Sequence, residues 1–204
     1  DPLLGYQATP SQQATLKFFF VVGLLFVLQI SCGVLLAHYG VEGGGLYGLP
    51  LDKVLPYAVL RTWHTQLGIF WIATAWLATG LYIAPAVGGR EPRHQRLGVN
   101  VLFGALLVVV LGSMFGEWLS IMGHLGRGNA SSFWFGTQGL EYVDLGRIFQ
   151  IGLTVGLLLW LGLMVRGMRP ALRRAATNTA TDEAPLAVVG QRTLTVMLLV
   201  SCVA

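Results

Sequence analysis

Residues 59–83 read VLRTWHTQLGIFWIATAWLATGLYI, an apolar stretch whose only basic groups, Arg61 and His64, lie near its start. It exceeds the about 20 residues that a helix needs to cross roughly 30 Å of hydrocarbon. Residues 17–37, 97–116 and 145–165 are three more such stretches. Thr193 to Ala204 begins a fifth, which at 1.5 Å per residue reaches only about 18 Å. The apolar residues, 54% of the chain against 11% charged, fall in runs rather than in a 3.6-residue stripe, which excludes a soluble core. The expected fold is an all-α polytopic transmembrane bundle: one membrane domain over residues 1–204, with four complete spans and the start of a fifth. The chain opens on Asp1 and closes inside an apolar run, so both ends read as cut. The first span is too long for a secretory h-region and no small-residue cleavage site follows it. No internal repeat is visible.

The loops carry the polarity and assign the sides. Arg90, Arg93 and Arg96 follow the second span, and Arg166, Arg169, Arg173 and Arg174 follow the fourth. With Lys17 and Arg192 they place nine of the thirteen basic residues on one side, against Lys53, Arg61, Arg127 and Arg147 on the other. The positive-inside rule makes the amino end and the loops near 90 and 175 cytoplasmic, and turns the loops at 38–58 and 117–144 outward. The net charge of +4 therefore reports topology, and no basic, aromatic-interleaved patch points to nucleic acid. Residues 175–185, AATNTATDEAP, read as a polar linker. Cys32 and Cys202 lie in apolar runs without metal-type spacing and read as small buried hydrophobes.

His64 lies roughly five positions below the outer start of its span. A hydrated, protonatable ring costs free energy there unless something in the membrane uses it. Gly68, Trp71 and Ala75 follow on the same helix face, where small residues leave room for a flat macrocycle and an aromatic packs on its edge. That outlines a haem b pocket, with Arg61 about one turn outward, placed to meet a propionate. From spacing alone two readings stand: an interhelical hydrogen bond within the bundle, and ligation of haem iron. His38 and His124 lie in or beside outer loops and His94 in a basic loop, so no second buried histidine completes a bis-imidazole site.

Three stretches carry a family resemblance. Residues 61–67, RTWHTQL, running on to 81–85, LYIAP, the loop 38–50, HYGVEGGGLYGLP, and 133–142, FWFGTQGLEY, resemble the quinol-dependent nitric oxide reductases, a branch of the haem–copper oxidase superfamily. The likeness extends from Asp1 to Arg174 and implies an amino-proximal fragment of the catalytic membrane bundle. It implies that His64 is one axial ligand of a low-spin haem b, and that His38 and Glu42, four apart at the mouth of the first span, belong to a quinol pocket. An imidazole beside a carboxylate on one helical turn suits a quinol hydroxyl and its protons, although the residues alone fit a solvated loop pair better. Leu46 stands where the family pattern has an aromatic. Glu141, in the Gln-Gly-x-Glu pattern, corresponds to a calcium ligand between haem propionates; on its own it reads as a surface or helix-terminal carboxylate beside Asp144.

The implied function is part of a quinol-oxidising reductase of two NO to N2O and water, in a bacterial or archaeal cytoplasmic membrane. That chemistry needs a high-spin haem b3 and a non-haem iron held by histidines and a glutamate. Four histidines, three of them outside the hydrocarbon, do not build such a centre, so no catalytic residue is expected within this chain. The partners implied are membrane lipid, quinol, nitric oxide and the remaining carboxyl-terminal helices of the same protein. A fragment of an oxygen-reducing relative and a non-catalytic haem-binding subunit are the alternatives.

Overall fold

The computed structural model describes residues 7–126, 128–137 and 145–177, with side chains up to Arg173. Five α-helices carry the described chain: α1 Pro10–Glu42, α2 Tyr57–Gly88, α3 Gln95–Ile121, the short α4 Ala130–Phe135, and α5 Arg147–Thr177, with a 3₁₀ turn at Leu51–Lys53 between α1 and α2. Four of them are long and apolar enough to span a membrane, and the only pairing of β type among the described residues is the isolated bridge between Leu46 and Leu49.

The four complete spans expected are present among the described residues, but their helices run past the apolar cores. α1 begins seven residues before Lys17 because Thr9-Pro10-Ser11-Gln12 forms a capping box. Thr9 N–H donates to Gln12 Oε1 at 2.8 Å and Gln12 N–H to Thr9 Oγ1 at 3.4 Å, with Pro10 at the first helical position, where its missing N–H costs nothing. At its far end α1 takes in residues 38–42, so His38 lies on a helix rather than in a loop. α3 likewise passes Gly116 and ends at Ile121, not at the start of the expected 117–144 loop. There His124 N–H reaches Leu119 O at 2.9 Å and Gly123 N–H reaches Ser120 O at 3.1 Å; Gly123, at φ +84°, supplies the left-handed residue that this Schellman closure requires. α5 carries helical backbone to Thr177, three residues into the expected linker. The rest of that linker, the fifth span at 193–204, Cys202 and Glu141 lie outside the described residues.

The chain divides into two compact units. In the first, whose described residues are 7–18, 76–103 and 157–177, the helices meet through small residues and side-chain-to-backbone hydrogen bonds, the means available where lipid removes any hydrophobic drive for helix association. Gly88 and Gly167 bring the backbones of α2 and α5 together, and a methyl on Gly88 would run into the Gly167 carbonyl. Gln12 Nε2 donates to Tyr82 O at 2.8 Å, Gln95 Nε2 to Leu163 O at 3.1 Å and Trp160 Nε1 to Leu77 O at 3.1 Å. The second unit, residues 19–75 and 104–156, contains the site residues. Its α2 and α3 segments are joined by Trp63 Nε1 donating to Met114 O at 3.1 Å. Cys32 is buried at 3% exposure, as a small hydrophobe.

Candidate functional site: a tethered histidine and a helix-end His–Glu pair

α1 and α2 meet where both carry small or polar residues. His64 Nδ1 lies 2.8 Å from the Gln29 carbonyl. A carbonyl only accepts, so Nδ1 donates, and Nε2 stands outside this bond. Such a bond sets the orientation of the ring, whether it serves only to join the helices or also to position a metal ligand. The close approach depends on Gly33: a methyl there would stand 2.8 Å from His64 Cε1 and 3.1 Å from Nδ1. The two readings of His64 therefore use different atoms. The interhelical bond takes Nδ1, and ligation takes Nε2.

The space expected over Gly68 and Trp71 is filled. Gln29 lays its amide over Gly68, where a methyl would meet Nε2 at 2.8 Å, and its Oε1 accepts from Trp71 Nε1 at 2.6 Å. An amide in an apolar span needs such partners. Phe26 packs edge-on against Trp71 at 5.3 Å between centroids. Gln29 thus ties α1 to α2 at two levels, through its carbonyl to His64 and through its side chain to Trp71. Arg61 is exposed in the first turns of α2, and its carbonyl accepts from Thr65 Oγ1 at 3.1 Å.

A second buried polar pair, absent from the sequence reading above, joins α2 and α3. Glu117 is fully buried within α3 and accepts a hydrogen bond from Gln66 Nε2. Its charge reads as the end of a span, yet Trp118, Leu119 and Ile121 continue the apolar pattern beyond it. An ionisable group inside such a pattern is the signal that was there to be used. Gln29, polar though not ionisable, is a weaker signal of the same kind within the first span.

The last turn of α1 sets His38 Nδ1 3.3 Å from Glu42 Oε2, with the side chains 17% and 68% exposed. His38 Nε2–H donates to Gly45 O at 2.7 Å, which fixes the ring against the loop. Beyond it Leu46 and Leu49 exchange backbone hydrogen bonds at 2.9 Å, and Tyr47, at the tip, is fully exposed with φ +49°. Tyr39 Oη donates to Leu55 O at 3.1 Å and closes the loop onto the start of α2. The remaining histidines stand apart from these: His94 precedes α3 and His124 follows it, both exposed. Among the described residues no three His, Cys, Asp or Glu side chains gather as a metal site. Glu141 lies outside the described residues.

The chain is 28% identical over 159 residues to a nitric oxide reductase subunit of Stutzerimonas stutzeri; the aligned part covers 76% of this chain and 31% of that protein. The chain thus spans about a third of its relative's length. Residues 13–204 match the family described as cytochrome c and quinol oxidase polypeptide I. Four membrane-spanning helices and a match over nearly the whole length make the chain a member of that haem–copper oxidase family.

Proposed function

We propose that this chain is the amino-proximal part of a quinol-oxidising nitric oxide reductase of the bacterial or archaeal cytoplasmic membrane, in which His64 would hold the iron of a low-spin haem b. The observation that carries the reading is the Nδ1–H bond from His64 to the Gln29 carbonyl. It fixes the orientation of the imidazole and leaves Nε2 outside that bond, and Gly33 lets α1 approach the ring that closely. When bound, the haem supplies one-electron transfer.

The chain's own residues manage the quinol. Glu42, exposed at the helix end, accepts a quinol hydroxyl proton, and His38 Nδ1, 3.3 Å away, takes it onward. The Gly45 carbonyl holds Nε2 so that the ring presents Nδ1 to Glu42 rather than turning away. Arg61, at the same end of α2 as His64, would balance a propionate of that haem. Glu141 is proposed as a calcium ligand beside the propionates, and haem b3, non-haem iron and the site of NO reduction belong to helices beyond this chain. The distant likeness to a nitric oxide reductase favours this over an oxygen-reducing relative.

The test is N2O production from NO by the full-length protein with two electron donors, a quinol and an artificial donor that bypasses the pocket. Glu42→Ala lowers quinol-supported turnover far more than artificial-donor turnover. Equal losses with both donors make the pair structural, and a protein that reduces oxygen but not NO supports the alternative.

A further inference from the structure

Away from the histidines, the first unit holds a cleft of about 420 Å³ lined by Arg90, Glu91, Arg93, Arg166, Arg169 and Arg173. We infer that this cleft binds the phosphate headgroup of an anionic phospholipid, whose acyl chains lie along α5. The positive-inside rule accounts for basic residues on this side, but not for five guanidinium groups from two separate chain segments around one cavity. Only one carboxylate, Glu91, stands among them, and its Oε2 already accepts from Ser11 N–H at 3.3 Å. Arg166, within α5, donates to the Arg93 carbonyl, which joins α5 to the α2–α3 loop and fixes the two walls. The volume falls within the range of small-molecule sites. Forked guanidinium donors match the oxygens of a phosphate diester better than ammonium groups do.

The lipid, rather than a soluble anion, is indicated by what lies beneath the cleft. Leu158, Gly162, Val165 and Arg169 are all exposed and fall at helical spacing along one face of α5. Leu158 is 64% and Val165 39% exposed. The stripe is apolar for two turns and smooth at Gly162, and it ends at an arginine that lines the cleft. An acyl chain follows such a track while its headgroup takes the basic pocket, the arrangement expected of basic pockets between membrane helices.

The experiment places the full-length protein in nanodiscs of phosphatidylcholine with a rising fraction of cardiolipin or phosphatidylglycerol. It reads the melting temperature and the lipids retained in native mass spectra. Anionic lipid raises the melting temperature of the wild type, and Arg166→Gln with Arg169→Gln weakens the half-saturating response roughly 30-fold, at about fivefold per arginine. The pair Arg166→Lys and Arg169→Lys, which keeps the charge and loses the fork, falls between the two. The proposal is overturned if Lys53→Gln with Arg61→Gln weakens the response equally, since the attraction is then general. It is also overturned if inorganic phosphate in pure phosphatidylcholine reproduces the full stabilisation, since the site then serves a soluble anion.

Discussion

Replacing Gly33 by alanine tests the geometry of the histidine most sharply. The new methyl carbon would stand 2.8 Å from His64 Cε1 and 3.1 Å from Nδ1, against about 3.5–4.0 Å for relaxed carbon contacts. The ring must therefore retreat by about an ångström. It is not a free side-chain end, because the 2.8 Å bond to the Gln29 carbonyl anchors it to the helix that carries the methyl. Overpacking costs about 2 kcal/mol, and breaking the hydrogen bond about 1 kcal/mol more. Alanine's better helix propensity returns about 1 kcal/mol. A net loss of about 2 kcal/mol follows, together with a displaced imidazole. The assay is reversible unfolding of the full-length protein in lipid, with the optical spectrum of its low-spin haem recorded on the same samples. Wild-type stability with a wild-type low-spin band would refute the claim that Gly33 seats His64.

Other substitutions probe other joints. Gly88→Ala drives a methyl into the Gly167 carbonyl, a backbone atom that no rotamer change removes, and lowers stability by about 3 kcal/mol in the same unfolding assay; a neutral result would show that α2 and α5 are not in backbone contact. Glu117→Ala strips the acceptor from a buried Gln66 amide and costs about 2 kcal/mol, whereas Glu117→Gln retains a carbonyl oxygen and stays within about 1 kcal/mol of wild type; equal effects would mean that the hydrogen bond contributes nothing. Leu46→Phe leaves quinol affinity unchanged or improved, and a large rise in the KM for quinol would show that the ring does not lie at that bridge. Glu141→Gln abolishes any calcium-dependent rise in melting temperature, which at a hundredfold excess over Kd amounts to about 2.7 kcal/mol of stabilisation; a retained calcium response would remove Glu141 from the metal site.

The four spans were legible because an apolar run of sufficient length has few alternatives in a chain this poor in charge. Their ends were not, because they are set by local polar chemistry outside the run. The Thr9–Gln12 capping box and the Gly123 closure extend α1 and α3 past the points where hydropathy falls. Glu117 shows the same limit from inside. A carboxylate reads as a boundary until the Gln66 amide that donates to it is known, and Gln66 lies 51 residues away in sequence. At the candidate site, His64 and the four-residue spacing of His38 and Glu42 are properties of one helix each. The Gln29 carbonyl and Gly33 become visible only once the register of α1 against α2 is fixed, and that register also puts Gln29 over Gly68. The arginines of the cleft are each visible in the chain; their convergence depends on α5 running on past its apolar core beside the α2–α3 loop.

The central claim is that His64 holds haem iron through Nε2, and the low-spin haem band of the full-length protein tests it most directly. With His64→Ala, the reduced-minus-oxidised spectrum loses its low-spin haem b signal while the high-spin haem signal persists, because only one of the two haems depends on this ring. A low-spin band of unchanged position and intensity in the alanine variant would contradict the account, and would leave His64 as an interhelical hydrogen-bond donor to Gln29.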